Sequence, residues 1–260
     1  MTIKNKDRYC MLEAIKKAPS YQKTASVIIP ARNEAGTIED SITKMPKLGK
    51  HTEIIFIEGN SSDNTWEEIK RVKSLYEEQW DIKICQQNGK GKGDAVRQGF
   101  NIATGDVLII MDSDLTVRPN ELTKFFEAIA SGNCQLANGS RLTHSVSLKV
   151  MPLANQLANR FFAKLLSIIL GVEIKDSLCG TKAITKENYL QIVTNWENFG
   201  KYDPFGDFDL LIGCKKLGLT IQNVPVKYFP RTYGKSNIQH IQGGFQLLKM
   251  ILYTALEVKK

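Results

Sequence analysis

The 260-residue chain lacks any apolar run approaching the ~20 residues that a membrane-spanning helix needs, which argues against an integral membrane protein. It also lacks the apolar block of a secretory signal. Lys4, Lys6, Asp7 and Arg8 lead into mixed sequence, so export is not expected. Its five cysteines (Cys10, Cys85, Cys134, Cys179 and Cys214) include no Cys-x-x-Cys pair. An odd, scattered set of this kind reads as reduced thiols of a cytosolic protein and excludes a disulfide scaffold or a zinc ribbon. Internal repeats and low-complexity tracts are absent too. What is present is ordinary for a globular chain: 42% hydrophobic and 24% charged residues, enough for a real core. The formal net charge of +8 favours anionic partners such as nucleotides, phospholipid headgroups or polyprenyl phosphates. The basic residues are dispersed and do not interleave with aromatics, so nucleic acid is not expected.

From residue 25 onward, short apolar runs alternate with helical stripes. Ala25–Pro30, Glu53–Glu58, Ile82–Cys85 and Gly105–Met111 read as buried strands. Between them, Ile38, Ile42 and Met45, then Trp66, Ile69, Val72 and Tyr76, then Val96, Gly99, Phe100 and Ala103 fall at helical spacing. Pro119 to Gly132 adds a helix with Leu122, Phe125, Phe126 and Ile129 facing inward. Further strands are expected near Gln135–Ala137 and Ile221–Tyr228, with a helix through Leu210, Leu211, Cys214 and Leu217 before the latter. This alternation predicts an α/β fold built on a doubly wound, mostly parallel sheet flanked by helices. The expected organisation is a peripheral segment 1–23, a domain 24–237 and a C-terminal amphipathic helix 238–260. That last helix carries Ile241, Phe245, Leu248, Leu252 and Ala255 as its stripe. Met151 to Val172 is apolar nearly all round, which fits a buried helix, a helix shared with a second copy, or one lying in a membrane interface.

Three places carry chemistry. The strand at Gly105 closes on Asp112-Ser113-Asp114, two carboxylates one residue apart where an open α/β sheet binds ligands. Such a pair can hold a hard divalent cation that bridges nucleotide phosphates, although a loop aspartate also serves as a turn or cap residue. Gly89-Lys90-Gly91-Lys92-Gly93-Asp94 precedes a helix without the full P-loop pattern, and is either a phosphate-approaching loop or a plain turn. Asp203-Pro204-Phe205-Gly206-Asp207-Phe208-Asp209 is a second acidic site, with helix capping as the alternative role.

In this order, the segments resemble the family-2 glycosyltransferases of GT-A fold, and among them the dolichol- or polyprenyl-phosphate sugar transferases. The likeness runs from about Ser26 to Asn237 and rests on Pro30-Ala31-Arg32-Asn33-Glu34, the glycine-lysine loop, Asp112-Ser113-Asp114, Asn138-Gly139-Ser140-Arg141, Asp176-Ser177-Leu178-Cys179-Gly180 and Arg231-Thr232-Tyr233-Gly234-Lys235-Ser236. It implies inverting transfer of a hexose from a nucleoside-diphosphate sugar, of the GDP-mannose or UDP-glucose type, to a polyprenyl phosphate. The alternative is a soluble member acting on a saccharide, a protein or a small metabolite. The implied donor contacts are Pro30, Arg32, Asn33, Glu34, Glu58, Asn60, Lys90, Lys92, Gly93, Asp112 and Ser113. Asp112 and Asp114 would hold Mg²⁺ or Mn²⁺, with Asp114 counted among the catalytic groups. Asp207 would be the base for an alcohol acceptor, with Asp209 second, while Arg141, Arg231, Lys235 and Ser236 would meet the acceptor phosphate. Peripheral contact with the cytoplasmic membrane face is expected, and a homo-oligomer is left open.

The chain departs from the family pattern at Glu58-Gly59-Asn60-Ser61, where two acids are usual, at Thr116 in place of a glutamine ligand, and at Asn237 in place of lysine. A nucleotidyltransferase is disfavoured because Pro30 to Glu34, and not a glycine-rich loop, follows the first strand.

Overall fold

Four of the expected apolar runs form the parallel half of the sheet: β1 (Ala25–Ala31), β2 (Thr52–Glu58), β3 (Asp81–Gln86) and β4 (Val107–Ile110). The computed structural model describes residues 22–143, 150–234 and 240–259. Nearly all of the expected segment 1–23, together with Lys235 and Ser236, therefore lies outside the described residues. β2 and β4 are buried throughout and β1 nearly so, which is why they read as apolar runs without alternation. Successive side chains still take opposite faces: Val27 and Ile29 enter one core, Ile28 the other.

Eight α-helices are seen among the described residues: α1 (Ile38–Thr43), α2 (Thr65–Tyr76), α3 (Lys92–Ile102), α4 (Leu122–Ala130), α5 (Leu153–Leu170), α6 (Lys186–Asn195), α7 (Phe208–Lys216) and α8 (His240–Val258). The first core takes Ile42, Ile69, Val72, Phe125 and Ile129 from α1, α2 and α4. The second takes Val96, Phe100, Leu166, Ile192, Leu211 and Ile251 from the other five helices. A single sheet covered on both faces results, as an α/β fold requires.

The far half of the sheet differs from the expectation. β5 (Leu136–Ser140) and β7 (Ile221–Pro225) pair in parallel, but β6 (Lys182–Thr185) runs antiparallel between β4 and β5. The full order is β3-β2-β1-β4-β6-β5-β7, mostly parallel, as expected, with one reversed strand. Four residues containing one lysine and one threonine present no run long enough to read as a strand. α6, directly after it, was equally unmarked.

The C-terminal helix also needs correction. Its core-facing residues are Leu247, Met250, Ile251 and Thr254, whereas Phe245, Leu248 and Leu252 of the expected stripe are 61%, 43% and 59% exposed. The helix is apolar around most of its circumference, so spacing alone could not pick the buried face.

Candidate active site

The parallel pairing brings the carboxyl ends of β1, β2 and β4 to one edge of the sheet, Ala31 standing beside Glu58. Three non-glycine residues have positive φ there: Asn33 (57°), Asn60 (55°) and Leu115 (53°), one in the loop after each of these strands. Asparagine tolerates this conformation; a leucine in it stores strain of about 1–3 kcal/mol, the kind found at binding sites. Asn33 sews two loops together. Its N–H donates to Ser61 Oγ (3.0 Å) and its Oδ1 accepts from the Ser62 N–H (2.8 Å). Glu34 N–H adds a bond to Thr65 Oγ1 (2.9 Å). Glu58 is buried and holds the Ser61 N–H (2.6 Å). Pro30 lies half-buried within β1, while Arg32, Asn60 and Lys90 are exposed on the same rim.

The paired acids sit just beyond β4, with Ser113 buried between them. Each is held by a basic side chain from elsewhere in the chain, one at the start of α3 and one from the loop after β7. Lys92 Nζ rests on Asp112 Oδ1. Arg231 bridges two acids, Nη2 to Asp114 Oδ2 (2.9 Å) and Nη1 to Glu34 Oε1 (2.5 Å). Thr116, at the position of the expected weak metal ligand, instead donates through N–H (3.0 Å) and Oγ1 (2.9 Å) to Asp114 Oδ1 and so orients it. Burial pushes the Asp112 carboxyl up, but Lys92, with Arg141 and Lys182 behind it, brings it below the usual carboxylate range. Burial raises Glu34 to about 7 against the opposing pull of Arg231, and its Oε2 is buried with no partner among the described residues. Gly180 packs closely against Lys92 and Asp112, whose side-chain ends a larger residue would push aside. A Cβ on Gly180 would stand 2.2 Å from Lys92 Nζ and 2.6 Å from Asp112 Oδ2.

Two carboxylates and no third acid cluster, among the described residues, do not make an all-protein metal cage. They do match the donor set for Mg²⁺ or Mn²⁺, a hard cation held by one or two carboxylates whose other ligands are water and substrate phosphate oxygens. The residues therefore fit the expected ion.

Asp207 reaches the same place through backbone packing. Gly93 N–H donates to Pro204 O (2.9 Å), and a Cβ on Gly93 would meet Asp203 O at 2.6 Å. The start of α3 and the 203–207 turn touch backbone to backbone, so Gly93, expected at the donor, is buried in that contact. Asp207 Oδ2 then pairs with the fully buried Lys182 (3.1 Å), which also donates to Cys179 O (2.7 Å), while Asp207 Oδ1 has no partner among the described residues. Sequence reasoning missed Lys182. Its only signal, a charge two residues past Gly180, becomes meaningful once β6 is known to run beside β4.

Asp209 is buried and accepts the Gly200 N–H (2.7 Å). Burial, then the neighbouring Asp203, raises its carboxyl to about 7. A carboxyl raised on folding contributes stability below its unfolded value of roughly 4, and loses it as pH rises through the folded value. The melting midpoint is thus expected to fall between roughly pH 4 and 7, and Asp209→Asn, which keeps an acceptor for Gly200, should flatten that fall. An unchanged slope in the variant would assign it to other groups.

Arg141 lies behind the acids and is committed elsewhere. It forks onto Asp176 (Nε to Oδ2 2.8 Å, Nη2 to Oδ1 2.9 Å) and stacks over Tyr228 at 5.0 Å. Asp176, fully buried, also takes bonds from Arg141 N–H, Asn159 Nδ2 and Leu178 N–H. The structure thus brings Glu34, Asp112, Asp114, Asp207, Lys92 and Arg231 together. Asp209 and Arg141 are set behind them.

Strand order, reversed β6 and the carboxylate pair beyond β4 define a GT-A glycosyltransferase fold. The profile of glycosyl transferase family 2 matches residues 26–192, and the chain belongs to that family. It is 32% identical over 238 residues to a dolichol-phosphate mannosyltransferase of Pyrococcus furiosus, covering 86% of this chain and 63% of that one. It is 27% identical over 220 residues to the glycosyltransferase AglJ of Haloferax volcanii, covering 84% and 67%. The chain thus spans about two-thirds of the length of these relatives. Among solved structures, glucosyl-3-phosphoglycerate synthase of Mycobacterium tuberculosis with phosphoglyceric acid aligns with TM-score 0.67 at 21% identity, covering 93% of this chain and 82% of that one. The same enzyme with Mn²⁺, UDP and glucosyl-3-phosphoglycerate gives TM-score 0.64 at 20% identity over the same shares. At such identity the likeness is one of fold.

Proposed function

We propose that the chain moves a hexose, with inversion, from a nucleoside-diphosphate sugar of the GDP-mannose or UDP-glucose type to a polyprenyl phosphate. The observation that carries this reading is the carboxylate pair beyond β4 with Lys92 and Arg231 already at ion-pair distance. Asp112 and Asp114 would hold Mg²⁺ or Mn²⁺, which when bound supplies Lewis-acid neutralisation of charge on the leaving diphosphate. Lys92, with Arg32 and Lys90 on the rim, adds positive charge at that end. Glu58 accepts from the base or ribose. Asp207, paired with Lys182 through Oδ2, has Oδ1 without a partner among the described residues, and that oxygen would take the proton of a hydroxyl acceptor. A phosphate acceptor is already a nucleophile and needs orientation; the Arg231 guanidinium, standing at Asp114, would meet it and the donor diphosphate together. The relative named dolichol-phosphate mannosyltransferase supports the lipid acceptor and the neighbours solved with Mn²⁺ and UDP support the metal-bound donor.

Melting curves with UDP-glucose and GDP-mannose, each with Mn²⁺, test the donor. At 100 times its dissociation constant a donor adds about 2.7 kcal/mol, whereas no shift with either sinks the donor assignment. Transfer to a panel of polyprenyl phosphates tests the acceptor. Failure with all of them, alongside transfer to a water-soluble acceptor, would select the soluble alternative.

The lipid half has a surface to match. No helix among the described residues is long and apolar enough to cross a membrane. α5 and α8 nevertheless pack side by side and expose Leu157, Phe161, Ile168, Phe245, Leu252 and Leu256. α5 contains no acid, and the one acid of α8, Glu257, is buried with Trp196 Nε1 (2.8 Å) and Asn198 Nδ2 (3.1 Å) bonded to it. The exposed charges on these helices, Arg160, Lys164 and Lys249, are all positive. An apolar face studded with cations suits the headgroup layer of an anionic membrane. Flotation with vesicles containing phosphatidylglycerol should recover the protein. Neutralising Arg160, Lys164 and Lys249 together should weaken binding by about 3 kcal/mol, roughly 100-fold. Equal flotation of the variant would remove this surface from the account.

A further inference from the structure

The ion pairs around the site sort into two kinds. Lys182–Asp207 and Arg141–Asp176 are closed, with side-chain exposures of 1% and 5%, and 12% and 0%. Lys92–Asp112 and Arg231–Asp114 are partly open to solvent, at 31% and 28%, and 21% and 20%. A buried pair is locked by the desolvation of its charges, whereas one that water partly reaches can trade partners at lower cost. The two exchangeable pairs are the two that cover the candidate metal ligands.

They cover them thoroughly. Asp114 has Oδ2 on Arg231 and Oδ1 on Thr116, and Asp112 has Oδ1 on Lys92 with Gly180 close against Oδ2. A divalent cation entering alone must displace an ammonium and a guanidinium, and leave both beside it as like charges. A diphosphate entering alone draws Lys92 and Arg231 to itself and leaves two bare carboxylates facing its own negative charge. Entering together, each relieves the other: the diphosphate receives the two side-chain cations while the aspartates receive the metal. Arg231 also ties the 229–234 strap to the first loop through Glu34, and Tyr233 lies against Gly36 and donates to Asp63 Oδ2 (3.2 Å). Releasing Arg231 therefore loosens one hold on that strap and leaves Tyr233 on Asp63 and Phe229 N–H on Thr116 O (2.9 Å) as others.

We infer that Lys92 and Arg231 are exchangeable counterions that make the metal and the nucleotide diphosphate bind as one unit, each weakly without the other. This rests on the donor-site reading above and goes beyond it, since it assigns the coupling between ligands to two named side chains. Coupling of this kind is reciprocal and usually amounts to about 5–150-fold.

The test is a grid of melting curves over Mn²⁺ and either UDP or GDP, for the full chain and for Lys92→Met and Arg231→Met, with each shift read against the same protein without ligand. In the unsubstituted chain, apparent Mn²⁺ affinity should rise at least about tenfold at saturating nucleotide. In Lys92→Met, Mn²⁺ alone should bind several-fold more tightly than to the unsubstituted chain, because Asp112 is uncovered, and the enhancement by nucleotide should shrink to about threefold or less. Arg231→Met should do the same at Asp114. Mn²⁺ and nucleotide that bind but stabilise additively would overturn the inference and leave the donor site standing. So would a Lys92→Met variant that binds Mn²⁺ alone more weakly than the unsubstituted chain. No response to Mn²⁺ with either nucleotide, in any of the three proteins, would overturn the inference together with the donor site.

Discussion

Asp112→Asn is expected to lower sugar transfer by about a thousandfold or more while the protein still folds. The carboxylate stands beyond the end of β4, after the hydrogen bond from Met111 N–H to Ile28 O that closes the strand ladder (3.0 Å), so nothing in the sheet depends on its charge. The amide keeps the shape, and the group is 28% exposed, so stability should change by about 1 kcal/mol or less. Catalysis should change far more. Neutralising a leaving diphosphate through a bound cation contributes several kcal/mol, and each 1.36 kcal/mol is a factor of ten in rate. Asp114→Asn should act alike, and the double variant should be little worse than either single one, because the two acids would serve one ion. The decisive comparison is the melting shift with nucleotide in the presence and absence of Mn²⁺. The variant should lose the Mn²⁺-dependent part. Retained activity with a retained Mn²⁺-dependent shift would take the cation away from this pair.

How far the residues themselves announced this arrangement depends on where the information sits. β1, β2 and β4 are covered on both faces, so each leaves a run of apolar residues that cannot be mistaken for a loop, and Asp112 and Asp114 are legible because they end such a run. Lys182 is not. It lies on a four-residue strand whose place is set by pairing with β4 and β5, and no local pattern records a partner so far away in sequence. The same holds for Arg231 on Asp114, separated by 117 residues. Asn33 and Asn60 could have been marked as candidates for positive φ from their residue type alone. Leu115 could not, because leucine carries no such preference and its backbone is fixed by the turn that presents Asp114. α8 failed for the opposite reason. It has too many apolar residues for its spacing to name one face, and the face was decided by what α5 and α7 offered it.

Arg141→Met is expected to destabilise the protein by about 3–5 kcal/mol, the usual cost of stranding one member of a buried ion pair. At roughly 2–4 °C per kcal/mol for a chain near this size, the melting midpoint should drop by about 10 °C. Asp176 explains the size of the effect. It is fully buried and takes five hydrogen bonds: three from Arg141, one from Asn159 on α5 and one from Leu178. It therefore pins the loop after β5, the start of the Asp176–Gly180 segment and α5 to one point. Burial alone would raise its carboxyl, but the Arg141 guanidinium dominates and holds it at about 2. A carboxyl lowered on folding contributes its stability above the unfolded value of roughly 4 and loses it as pH falls toward the folded value. The unsubstituted chain should accordingly lose about 2.5 kcal/mol between roughly pH 4 and 2 from this group. Arg141→Met should lose much less over that window, having lost the interaction already. Arg141→Lys keeps the charge but not the two-pronged fork, and should fall between the two. If Arg141→Met melted within a degree or two of the unsubstituted chain and kept its acid slope, Asp176 would be held by its amide donors alone. The guanidinium would then be free to serve an acceptor phosphate.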